Sequence, residues 1–191
     1  VSDCLNIYDD ATPVQQKCYA HHLKAISTAQ GDYKTQSGEP SKYLKRIRGL
    51  LRRAMNLKKV LPELSGEKIQ FHRAALEEQA DWLLSPSRAN SLTEGLSPIE
   101  DKIRRRLKKQ RDHLFVFLDH EKVDATNNRA ERRLRPAVIR RKLSCGNRSP
   151  SGARAFERIA SVVETCVQQG RSVLDYLTAT MSLGMEPLPL R

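Results

Sequence analysis

No apolar run among the 191 residues approaches the roughly 20 needed to cross a bilayer as a helix, which removes a helical membrane span from consideration. No amino-terminal signal pattern is present, and neither an internal repeat nor a low-complexity tract is found. Cysteine is scarce: Cys4, Cys18, Cys145 and Cys166 stand at no framework spacing, which suits free thiols in a reducing cytoplasm without excluding disulfides. Acid is in short supply as well. Against 34 Lys and Arg there are 22 Asp and Glu, a formal charge of +12 that calls for a polyanionic partner. Nucleic acid is the default candidate, and an anionic membrane surface competes with it. What remains, 39% hydrophobic and 29% charged residues, is enough to bury a core and excludes a disordered chain. The length fits one domain, or one domain with a large insertion.

Val1-Ser2-Asp3 reads as a strand end that delivers an Asp to a sheet's carboxyl edge. A strand end without its strand, and without an initiator Met, is expected of a fragment. Residues 5–8 lead into Asp9-Asp10 and a turn near Thr12-Pro13, and residues 14–20 form a second short strand candidate. A helix is expected from His21 to just before Gly31, followed by a polar linker over 31–40. Residues 41–61 carry Leu44, Ile47, Leu50, Leu51, Ala54, Leu57 and Leu61 at three-and-four spacing, opposite a face of Lys and Arg. A second helix, 67–84, has acids on its outer face and suits an antiparallel pairing with the first. After a loop over 85–96, Ser97-Pro98-Ile99-Glu100 has the form of a capping box with Pro at the first helical position. The helix it opens carries the basic cluster Arg104 to Lys109, and its apolar side continues through Phe115, Phe117 and Leu118.

The unusual stretch is 124–142. It places one carboxylate, Glu131, about one turn inside a helix otherwise dominated by cations, with Asp124, Thr126, Asn127 and Asn128 available as caps. Two readings are open. Glu131 can be a dipole-matched surface residue bonded to Arg135 one turn on. Alternatively it holds a divalent metal while neighbouring Arg and Lys hold the phosphates on which that metal acts. Pro136 is expected to kink or break the helix, with Leu134, Val138 and Ala130 facing a core. Ser149-Pro150 opens another helix with Phe156, Ile159, Ala160, Val163, Cys166 and Val167 as its core stripe and Gly170 as its cap. A last short helix ends near Met181.

The run Asn127-Asn128-Arg129-Ala130-Glu131-Arg132-Arg133-Leu134-Arg135-Pro136, followed by Arg140-Arg141-Lys142, closely resembles the carboxy-terminal part of bacterial insertion-sequence-66 family transposases of the DDE type. Ser151-Gly152-Ala153-Arg154 and Ser161-Val162-Val163-Glu164-Thr165 extend the likeness. Val1-Ser2-Asp3-Cys4-Leu5-Asn6-Ile7-Tyr8 and Gln16-Lys17-Cys18-Tyr19-Ala20-His21 resemble the same family's second catalytic Asp segment and the strand after it. The resemblance implies an α/β fold: a truncated ribonuclease-H-like core with a large all-helical insertion, predominantly helical in this chain. The implied partition is 1–30 partial core, 31–121 helical insertion, 122–182 core helices with the catalytic Glu, and 183–191 loose tail. Asp3 matches the second Asp and Glu131 the Glu, both as catalytic residues and as ligands of Mg²⁺ or Mn²⁺. Arg129, Arg132, Arg133, Arg135, Arg140, Arg141 and Lys142 are the implied DNA contacts, with Asn127 and Asn128 supporting. No residue here matches the family's first Asp, so the chain alone is not expected to complete a reaction. Transposon-end and target DNA are the implied partners, with a homo-oligomer as a further one and no membrane, in the bacterial cytoplasm at the nucleoid.

Other readings stand beside this one. Asp3 by itself can be a solvated turn residue. Cys18, His21 and His22 suggest zinc only weakly, because a structural site takes four ligands and no second pair stands nearby in sequence. A non-catalytic basic helical DNA-binding module, a decayed transposase remnant, or an oligomerisation scaffold would also account for the charge and the long helices.

Overall fold

A computed structural model describes residues 1, 2, 4, 14–85 and 91–183. The described residues are predominantly helical, and they divide into two compact units, Val1–Asn128 and Arg129–Arg191. Asp3, the segment with Asp9 and Asp10, and the tail after 183 lie outside the described residues.

In the first unit the expected second strand is not formed. Among the described residues there is no strand, only an isolated parallel bridge between Ser2 and Lys17, so the sheet of an α/β fold is not built by them. The reason is visible at residue 19, where helix α1 (Tyr19–Ser37) begins and takes the backbone out of register for further pairing. α1 also runs through Gly31, where a linker was expected. Its end is Gly38, which adopts a left-handed φ of +78° and returns its N–H to the Lys34 carbonyl at 2.9 Å.

α2 (Lys42–Val60) and α3 (Gly66–Leu84) match the sequence pattern, joined through a 3₁₀ turn at Leu61–Glu63. Ser41 caps α2 by accepting from Leu44 N–H at 3.0 Å. The pair is antiparallel: Tyr43 at the start of α2 donates its hydroxyl to the Leu83 carbonyl at the end of α3. α4 (Pro98–Lys109) opens on the expected capping box and stops at Gln110, earlier than its apolar pattern suggested. A 3₁₀ turn at Arg111–His113 and the short α5 (Val116–Asp119) follow. Leu44, Ile47 and Leu51 of α2, Leu76, Ala80 and Leu83 of α3, Ile103 and Leu107 of α4, and Tyr19 and Ile26 of α1 converge in one core. Burying side chains of this kind contributes roughly 1.5–3 kcal/mol each.

In the second unit, α6 (Asn128–Leu143) passes through Pro136 without the expected break. Pro136 removes one hydrogen bond to Arg132, but the turn is exposed and water can take the free carbonyl. The expected inward faces of Ala130, Leu134 and Val138 are likewise corrected: α6 has no buried residue, and Leu134 is 63% exposed. α7 (Pro150–Gln168) is capped by Ser149, whose hydroxyl accepts from Gly152 N–H at 3.1 Å. Of its anticipated core stripe Cys166 is fully buried, whereas Ile159 and Val167 are exposed. The left-handed Gly170 ends the segment, as its position suggested, and α8 (Val173–Leu183) follows.

Candidate functional site

α6 carries seven cations, Arg129, Arg132, Arg133, Arg135, Arg140, Arg141 and Lys142, and a single acid, Glu131 in its first turn. All eight side chains are exposed. Arg133 reaches Glu164 of α7 at 3.7 Å, a loose pair within the second unit. The three basic residues of the last turn lie where the helix dipole favours cations, which accounts for part of their placement without a ligand. The turn closes through Gly146, with φ +85° and its N–H on the Arg141 carbonyl at 2.8 Å.

Within the first unit, the residues that flank the two candidate carboxylates in sequence meet at one point. Ser2, which precedes Asp3, donates its N–H to the Gln16 carbonyl at 3.0 Å and accepts from the Cys18 N–H at 2.9 Å. Asn127 donates its backbone N–H to the Cys18 Sγ at 3.4 Å, and Tyr19 N–H donates to the Ala125 carbonyl at 2.9 Å. Cys18 therefore touches both the segment before Asp3 and the segment before Glu131. Asn127 does not cap α6 through its side-chain oxygen: Oδ1 is buried and takes no hydrogen bond.

Beside Cys18, Cys4 and His22 are both biased toward their neutral forms. Cys4 lies with its thiol 3.9 Å from the Cys18 carbonyl and 3.7 Å from His22 Nε2. Burial pushes the Cys4 thiol up, with the Arg106 guanidinium pulling the other way. Burial lowers His22 to about 3, and Arg106, His21 and Lys17 add to the shift by repelling a second positive charge. Among the described residues no group of three His, Cys, Asp or Glu could hold a metal ion. This convergence on Cys18 was not foreseen from sequence. A contact spanning 109 positions has no local signature, and the one hint available was that both segments fall in recognisable motifs.

The other two basic clusters differ in kind. On α4, Asp101 pairs with both Arg104 at 2.6 Å and Arg105 at 2.7 Å, so that cluster is partly neutralised internally. On α2 no acid is present at all.

A family model described as Transposase IS66 family matches residues 1–155. The chain belongs to that family. Two curated proteins of Sinorhizobium fredii (strain NBRC 101917 / NGR234) are similar in part. "Uncharacterized protein y4qI" is 33% identical over 73 residues, covering 38% of this chain and 14% of that protein. "Uncharacterized protein y4jO" is 32% identical over 91 residues, covering 47% of this chain and 28% of that protein. The chain thus matches less than a third of the length of either of these relatives. No solved structure matches it. No helix among the described residues is long and apolar enough to cross a membrane.

Proposed function

We propose that this chain is part of a DNA transposase that cuts and joins DNA with the help of divalent metal, and that it supplies two metal-binding carboxylates, Asp3 and Glu131. The observation that carries this reading is the family match over residues 1–155, which takes in both carboxylates. A ribonuclease-H-like core around residues 1–30 and 122–182, interrupted by the helices of 31–121, belongs to the same proposal.

Mg²⁺ or Mn²⁺ suits the donor set, because carboxylate oxygens are the hard ligands these ions take. The described residues alone do not complete such a site; in this proposal Glu131 and Asp3 would be two of the ligands and a further acid a third. Held by these carboxylates, a divalent ion would supply Lewis-acid activation of an attacking oxygen and stabilisation of a leaving one. The chain's own contribution on α6 is electrostatic. Arg129, Arg132, Arg133 and Arg135 lie within four positions of Glu131 on the first turns, where guanidinium forks can grip phosphate oxygens in pairs. Arg140, Arg141 and Lys142 extend the same polyanion surface, and Asn127 and Asn128 position the start of the helix. The partner is transposon-end and target DNA.

Cleavage of transposon-end DNA by the full-length protein in Mg²⁺ tests the proposal. Glu131→Gln, which keeps size and removes charge, is expected to abolish cleavage while leaving DNA binding in place. Full activity in that variant would reject the assigned role.

A further inference from the structure

α2 (Lys42–Val60) contains eight cations and no acid in 19 residues. An ordinary solvated helix intersperses the two signs, gaining from i,i+4 pairs of opposite charge and avoiding pairs of like charge. α2 does the reverse: Lys42 and Arg46, and Arg48 and Arg52, are like-charged at i,i+4. Among the described residues, acids of neighbouring elements offset this at Lys58, near Asp124 and Glu121, and form no ion pair with the rest of the helix. Lys58 is used internally, donating to the carbonyls of Phe117 and His120 at 2.7 Å, and Arg53 bonds to the neutral side chain of Gln79. No ion pair among the described residues reaches Lys42, Lys45, Arg46, Arg52 or Lys59, all of which are exposed. The α4 cluster, in contrast, has Asp101 to pair with.

The placement of these groups is ordered by the buried side of the helix. Ile47, Leu50, Leu51, Ala54 and Leu57 fix α2 against the core, so its rotation is not free and its cations form one outward stripe. From Lys42 to Lys59 the stripe runs about 25 Å at a rise of about 1.5 Å per residue. Its middle is open: a Cβ added at Gly49 would meet no atom within 4 Å. Lys45-Arg46 and Arg52-Arg53 flank that gap two turns apart, about 10.5 Å, a spacing comparable to the width of a duplex groove.

We infer that the exposed face of α2 is a second nucleic-acid surface, which grips the phosphate backbone of duplex DNA without reading its sequence. The inference rests on the reading of DNA as partner and extends it to a helix that the candidate site does not include. A rigid row of unneutralised cations fits a rod of regularly spaced phosphates better than it fits a protein partner, which would need a matching row of acids.

The test is binding of the full chain to a duplex of arbitrary sequence, without Mg²⁺, over a range of salt concentrations. The stripe variant is Lys45→Gln/Arg46→Gln/Arg52→Gln, compared with Lys24→Gln/Lys34→Gln/Lys102→Gln, which removes the same charge from exposed positions elsewhere in the first unit. Both variants are first checked for unchanged helicity and unfolding midpoint. The slope of log affinity against log salt should become shallower by about 2.7 in the stripe variant, at about 0.9 for each phosphate no longer neutralised, and change little in the other. Equal changes in the two variants would overturn the inference, since net charge alone would then be acting. So would an unchanged slope in the stripe variant with binding retained, which leaves α6 as the DNA surface. Tighter binding to phosphatidylserine vesicles than to duplex, lost in the stripe variant, would also overturn it in favour of a membrane surface. If the parent chain bound no duplex at all, the underlying reading of DNA as partner would fail along with it.

Discussion

The backbone N–H of Asn127 donates to the Sγ of Cys18 at 3.4 Å, across 109 positions of sequence. Cys18 is fully buried, and its own N–H donates to the Ser2 carbonyl at 2.9 Å. Replacing the sulfur removes the acceptor and leaves the Asn127 amide without a partner. Cys18→Ala is therefore expected to lower unfolding free energy by about 1–3 kcal/mol, from the hydrogen bond lost at a half-buried amide together with the space left by the buried sulfur. Cys18→Ser keeps an acceptor and should lose less. Denaturant unfolding of the two variants checks the order, and a larger loss in Cys18→Ser would mean that apolar packing of the sulfur, not the hydrogen bond, is what matters.

His22 gives the fold a pH dependence of defined sign. Its pKa is ordinarily 6.5 and is lowered by burial to about 3 in the folded chain. The unfolded chain therefore binds the extra proton first as pH falls, so stability drops between about pH 6.5 and pH 3, by up to about 1.4 kcal/mol per pH unit from this one group. Asp81 and Asp101 are held low by Arg111 and Arg104, and their contributions fade only below the ordinary carboxylate range, starting near 3.8. His22→Gln should flatten the stability profile between about pH 4 and 6 and leave the steep part at lower pH. A profile that stays steep from 6.5 downward would point to another group.

Glu100 ties two helix starts together. Its Oε1 accepts from the Ser41 hydroxyl at 2.5 Å, and its Oε2 accepts from Ser97 N–H at 2.9 Å and from the Ser97 hydroxyl at 2.8 Å. Ser41 caps α2 and Ser97 caps α4, so one carboxylate steadies both caps. Glu100→Ala is expected to cost about 2–4 kcal/mol, from the capping and charged hydrogen-bond ranges together. Thermal unfolding of Glu100→Ala beside Glu100→Gln measures it, and the Gln variant should lose less.

The two-pronged pair of Arg111 with Asp81, at 2.6 and 3.0 Å, should contribute far less, because the Asp81 side chain is 63% exposed. Asp81→Asn is expected to cost no more than about 1 kcal/mol. Arg111→Ala should cost more than Asp81→Asn, since Arg111 also lies 5.5 Å over the Phe115 ring and donates to the Glu77 carbonyl. Chemical denaturation of the two single variants compares them.

Local chemistry made much of the helical architecture legible. The three-and-four spacing of Leu44, Ile47, Leu51 and Ala54 marked the buried face of α2, and Ser97 with Glu100 marked the start of α4. What was not legible depends on partners distant in sequence. Residues 14–20 look like a strand, yet beyond the bridge at Lys17 the chain turns into α1, and Gln16 satisfies Phe117 N–H and the Leu114 carbonyl through its side chain. Pro136 did not break α6 because nothing buried depends on the lost hydrogen bond. The basic runs on α2 and α4 look alike in sequence, and Asp101 separates them only once the helix is formed. Of the candidate site, Glu131 and its arginines were recognisable as a motif, whereas the link through Cys18 is a product of folding.

Asp3 and Glu131 are proposed to share one divalent ion, and binding of Mn²⁺ to the chain, followed by electron paramagnetic resonance, tests this most directly. Asp3→Asn and Glu131→Gln should each weaken binding by a similar factor, and the double variant should lose little more than either single one. Losses that add in full, or an affinity indifferent to both substitutions, would contradict the account.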